Sequence, residues 1–166
     1  MAKSKFPPRG IRNNNPLNIR RSKNKWLGEV DYLEMEVKDK TGENGAARFY
    51  DKSFCQFKTR VYGYRAAFRL IKTYMDKYGC NTIRKIVTRW APPSENNTNN
   101  YINFVSDYAL RNADCVIDPK DGGVLVSIVC AMATQENGWE YNPKGHFAHW
   151  QDVSKAYIMV FGEECV

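Results

Sequence analysis

Sixteen residues near the C-terminus, Val124 to Trp139 (VLVSIVCAMATQENGW), constrain the fold more than any other stretch. They run without charge to Glu136, then break at Asn137-Gly138-Trp139. Leu125, Ile128, Val129, Met132 and Ala133 recur at helical spacing, and Val126, Cys130 and Ala131 make the opposite side non-polar too. A helix apolar all round is a buried one. The run is too short to span a bilayer, so a protein core must bury it. Gly138 supplies the expected stop, because only glycine takes a left-handed C-terminal conformation without strain.

Glu136 is therefore expected at the C-terminal end of a core helix. Desolvation and the negative helix terminus would both raise its pKa, the condition for a proton donor near neutral pH. The plainer role is a surface glutamate that merely ends a helix, and the residues alone favour it.

The 166 residues are expected to form one domain, residues 9–166, behind a flexible basic arm at 1–8. A net charge of +7 calls for an anionic partner: nucleic acid, a membrane surface or an acidic cell-wall polymer. Nucleic acid rests on charge alone, through Arg9, Arg12, Arg20, Arg21, Lys23 and Lys25, and no recognised nucleic-acid module accompanies it. The five cysteines lack metal or disulfide spacing and read as free thiols made in a reducing compartment. His146 and His149 have no acid or cysteine cluster beside them, so neither metal nor cofactor is expected. The basic N-terminus is followed by no apolar stretch, which predicts cytoplasmic synthesis without signal peptide or membrane anchor, and release on lysis or incorporation into a virion.

In order, RGIRNNNPLNIR (9–20) reads as an ordered, amide-rich loop or short helical turn. Residues 28–58 read as a small β element, a hairpin or three short strands, carrying Glu29, Asp31, Glu34 and Glu36. Helices follow from Val61 to a stop at Gly79, from a Thr82 cap to Trp90, over Tyr101–Ala109, and from about Asp152 to Phe161. The fold class is α+β, mostly α.

An acid, amides (Asn14, Asn15) and exposed-looking aromatics (Trp26, Trp90, Tyr101, Trp139, Tyr141) are the inventory of a carbohydrate cleft. Rings stack on sugars, amides pair with hydroxyls and a protonated Glu serves the glycosidic oxygen. Glu29 is the candidate second carboxylate. Glu95 is a rival acid that reads better as the cap of the following helix.

RGIRNNNPLNIR, KWLGEV, RWAPPSENNT and the ENG of Glu136-Asn137-Gly138 resemble a phage and prophage family labelled virion structural proteins and considered lysozyme-like. The match spans roughly residues 9–138. It departs at Leu17, where the family pattern has glycine. The order Asn13-Asn14-Asn15, Trp26-x-Gly28, β-like segment and helix also resembles autolysin-type glucosaminidases, whose apolar helix ending in Glu comes first instead of last. That order is what a circularly permuted lysozyme-like domain would show, and it requires Glu136 to lie beside residues 9–20.

The resemblance implies a peptidoglycan-degrading glycosidase or lytic transglycosylase, acting on glycan strands with Glu136 as general acid. A non-catalytic virion structural or cell-wall-binding module, with other virion proteins as partners, is the alternative.

Overall fold

The structure, a computed structural model, describes residues 6–38, 44–145 and 149–162, side chains excepted at 35–38 and 44–48. The apolar run forms helix α5 (Gly122–Asn137), with six helices in all among the described residues. The Asp121 side chain starts α5 by accepting from the Val124 N–H at 3.2 Å. Leu125, Ile128, Val129, Cys130, Ala131, Met132 and Ala133 are all buried, so the helix has no solvent stripe through its middle. It packs against α4 (Thr98–Ala109), α6 (Trp150–Phe161) and α2 (Arg60–Tyr78).

Helix α2 follows its sequence pattern. Tyr64, Ala67, Phe68 and Ile71 are fully buried, and Gly79 ends the helix at φ 62°. Phe68 meets Tyr157 and Phe161 of α6 edge-on, with centroids 5.8 and 6.2 Å apart. At Gly63 a side chain is excluded, because a Cβ would overlap the Asn14 carbonyl oxygen. That close approach seats the amide-rich loop on the first turn of α2.

Thr82 caps α3 (Ile83–Trp90) by accepting from Lys85 N–H, as expected. The cap of α4 is Asn97, which accepts from Asn100 N–H at 3.3 Å, while Glu95 stands exposed in the preceding loop. Asn97 adjoins the helix directly and its short side chain reaches the first-turn N–H.

The β element differs in detail from a hairpin or three strands. Four short strands form two antiparallel ladders: β1 (Glu29–Val30) with β4 (Gln56–Phe57), and β2 (Leu33–Lys38) with β3 (Asn44–Phe49). Helix α1 (Arg9–Arg12) and the loop after it lie against β4, where Phe57 N–H donates to Asn13 O. The whole is mostly α with a small antiparallel β portion. Leu17 is 1 % exposed and belongs to the core, so it is a packing residue.

A buried amide fixes the β portion. Gln56 Nε2 donates to Phe49 O and Asn13 Oδ1, and its Oε1 accepts from Asp51 N–H and Arg21 Nη2. All its hydrogen-bonding capacity is used, which makes its complete burial tolerable.

Among the described residues no helix is long and apolar enough to cross a membrane. Cys55, Cys80, Cys115 and Cys130 are free thiols, and burial pushes Cys55 and Cys130 up to about 12. Cys165 and His146 lie outside the described residues, as do the first five positions of the expected arm.

Candidate functional site

Glu136 occupies the last turn of α5, and the helix stops two residues later. Gly138 adopts φ 94°, ψ 161°, a conformation reserved for glycine and more extended than the left-handed turn the sequence suggested. Asn137 fastens this end: its Nδ2 donates to Pro16 O at 2.7 Å and Ala133 O at 2.8 Å, both buried.

The carboxyl of Glu136 therefore faces the loop. Asn18 Nδ2 donates to Oε2 at 3.0 Å, and Tyr101 O–H donates to Oε1 at 3.3 Å. Burial raises the Glu136 pKa above the ordinary carboxylate value, while the Asn18 and Tyr101 hydrogen bonds pull it partly back. The shift has no charged neighbour among its causes. Tyr101 is 5 % exposed, and burial first, then the Glu136 charge, hold its phenol well above the usual range. The sequence presented Tyr101 as an exposed platform; the structure makes it a buried donor to the acid.

The loop amides divide by role. Asn14 Nδ2 donates to Phe57 O at 3.0 Å and Lys58 O at 3.3 Å. Asn15 is buried and binds its own loop, with Nδ2 on Ile19 O and Cys55 O and Oδ1 accepting from Ile19 N–H. Their side chains brace the loop against β4. The amide that reaches the acid is Asn18, at φ 52°, a left-handed conformation that asparagine tolerates better than most residues.

Beside Asn18 opens a groove of about 380 Å³, within the usual range for ligand sites. Its lining comprises Asn18, Ile19, Arg20, Ser22, Trp26, Leu70, Tyr74 and Trp90. Trp26 and Trp90 are thus brought together as aromatic walls. Tyr74 of α2, partly buried against the core, meets Trp90 edge-on at 6.3 Å and completes them.

Glu29 is engaged elsewhere. Its Oε1 accepts from Arg21 Nη1 at 3.1 Å, its Oε2 accepts from the Trp26 N–H at 2.9 Å, and its side chain is 2 % exposed. It holds the turn that presents Trp26. Trp139 and Tyr141 lie in a 3-10 turn (Trp139–Tyr141) outside the groove lining. Trp139 is 66 % exposed and stacks on Tyr108 with centroids 6.0 Å apart, beside the edge of Phe104. A wider hollow of about 530 Å³ over α3 and α4 is lined by residues such as Arg84, Asn96 and Asn97, without an aromatic ring.

No group of three or more His, Cys, Asp or Glu that could hold a metal ion occurs among the described residues. His149 is buried against Tyr64 O–H at 2.9 Å, and burial lowers it to about 4.

Asn18, Tyr74 and the hub Gln56 were not distinguished in the sequence. The signal for Asn18 was present, a fourth asparagine just beyond the triplet, but only loop register says which amide faces the acid.

No family model matches the chain. The chain nevertheless belongs to a family of phage proteins. It is 35 % identical over 137 residues to Protein P5 of Pseudoalteromonas phage PM2, covering 81 % of this chain and 76 % of the relative.

Proposed function

We propose that this phage-family protein cleaves peptidoglycan glycan strands, with Glu136 as general acid. The observation that carries the reading is the partly buried, pKa-raised carboxyl of Glu136, held by Tyr101 and by Asn18, the residue that joins it to the aromatic groove. A protonated Glu136 gives its proton to the glycosidic oxygen as that bond breaks. Asn18 Nδ2 and Tyr101 O–H then donate to the carboxylate left behind. Trp26 and Trp90 supply faces for sugar rings.

Single-carboxylate chemistry fits the surroundings best. Hydrolysis with two carboxyl groups requires a partner roughly 5–9.5 Å from the acid. Glu29, the candidate partner, would have to abandon Arg21 and the Trp26 N–H. In a lytic transglycosylase the substrate's own hydroxyl attacks the anomeric carbon instead. Glu136 then takes the proton of that hydroxyl and returns to its starting state. As a phage product the enzyme would act from the virion or at lysis, alongside other virion proteins.

Native protein and Glu136→Gln are compared by zymography on purified cell walls. The expected result is a loss of about 10²–10⁴-fold in clearing, the usual contribution of a general acid. Products one water lighter than hydrolysis products would mark ring closure. Clearing that survives the substitution removes Glu136 from the mechanism. Native protein that is retained on cell walls without clearing them is the binding module of the alternative reading.

A further inference from the structure

Two consecutive arginines in the loop have opposite fates. Arg21 is fully committed: Nε donates to Asp51 O, Nη1 to Glu29 Oε1, and Nη2 to Val30 O, Asp31 O and Gln56 Oε1. Arg20 lines the groove, and no carboxylate among the described residues pairs with it. Its backbone is held in a β-bridge to Phe54, and its guanidinium carbon sits 4.8 Å from the centroid of the Phe54 ring. The same ring carries Arg9 at 4.4 Å, but Arg9 is neutralised by Asp51 at 3.3 Å. A guanidinium resting on an aromatic face still has the donors of its planar edge to offer.

The groove thus combines three rings, an amide, a hydroxyl and one uncommitted cation, and no carboxylate lines it. A neutral glycan uses the rings but gives the guanidinium nothing. We propose that Arg20 is a specificity residue that recognises a carboxylate borne by the sugar in this groove. The inference rests on the glycan reading above and goes beyond it by making the cleft one for acidic glycans. The carboxylate has two possible sources in peptidoglycan, the lactyl ether of the sugar itself and the peptide attached to it.

The test measures binding, so that it does not depend on turnover. In the Glu136→Gln background, tryptophan fluorescence follows titration with chitotetraose and with a tetrasaccharide alternating N-acetylglucosamine and N-acetylmuramic acid. A third arm uses the same tetrasaccharide carrying stem peptides. The acidic sugar is expected to bind about tenfold tighter than chitotetraose, the size of one charged hydrogen-bonded contact. Adding Arg20→Gln should erase that preference while leaving chitotetraose affinity within about twofold, and 1 M salt should weaken it in the parent. A preference seen only with the peptide-bearing arm assigns the carboxylate to the peptide, and one already present in the bare tetrasaccharide assigns it to the lactyl group. A preference that survives Arg20→Gln, equal loss of both sugars, or no binding of any arm overturns the proposal. Intact discrimination in a protein that never clears cell walls leaves Arg20 in place and refutes only the catalytic reading.

Discussion

Asn137→Ala tests the junction on which the site depends. The side chain donates to Pro16 O at 2.7 Å and to Ala133 O at 2.8 Å, and Asn137 is 8 % exposed. Removing it takes the side-chain donor from the Pro16 carbonyl, a penalty of about 1–3 kcal/mol for a buried acceptor left unpaired. The second bond adds about 1 kcal/mol at most. The sum, roughly 1–4 kcal/mol, corresponds to a fall of about 2–16 °C in Tm for a chain of this size. Thermal unfolding followed by circular dichroism reads it directly.

Asn137→Asp probes the same amide through charge. An ionised carboxylate has no hydrogen to offer two carbonyl oxygens, so its folded-state pKa must rise above the unfolded value. Its stability is then best below the unfolded pKa of about 3.9 and is lost as pH rises through the folded value. Asn137→Asp should be less stable than Asn137→Ala at pH 7 and should close that gap on acidification. A Tm change under 2 °C for Asn137→Ala, or an aspartate variant that gains stability as pH rises, would refute the role given to this amide.

Two further expectations concern the acid and the loop. Tyr101→Phe deletes a hydrogen bond that favours the ionised form of Glu136, so the Glu136 pKa rises and the acid stays protonated to higher pH. The alkaline limb of the clearing-rate profile should move upward, and an unmoved or lowered limb contradicts the assignment of Glu136. Gly63→Ala gains helix propensity of up to about 1 kcal/mol but drives a Cβ into the Asn14 carbonyl, and such overpacking costs about 1–3 kcal/mol. Scanning calorimetry should show a lower Tm, and a raised one means that the loop does not sit on α2 as closely as described.

What the sequence made legible was whatever a single element decides for itself. The uncharged run of α5, the Gly79 stop and the Thr82 cap follow from local spacing and turn chemistry, and all three are in place. So is Glu136 at the rim of the core, because a charge at the end of an apolar helix has few other places to be. Properties that depend on partners were not legible. Asn13, Asn14, Asn15 and Asn18 look alike in a string, yet one bridges to Asp51, two brace the backbone and one holds the acid. Arg20 and Arg21 are neighbours of identical chemistry separated only by which way the chain turns. Tyr101, expected as an exposed platform, is buried for the same reason: helical spacing identifies a face, but not what covers it.

The acid and its amide partner are 118 residues apart in sequence, so no local motif could have announced their meeting. Their contact is made by the end of α5 lying against the loop after α1. Two hydrogen bonds from consecutive residues serve different ends there. The Pro16 carbonyl bonded by Asn137 positions the loop, and the Asn18 bond to Glu136 conditions the proton. On the proposed mechanism, a change that loosens this junction is expected to lower clearing before it unfolds the chain. The placing of a glycine-only turn at Gly138, directly after these two residues, follows from the same requirement: α5 must stop where its last two side chains can both reach the loop.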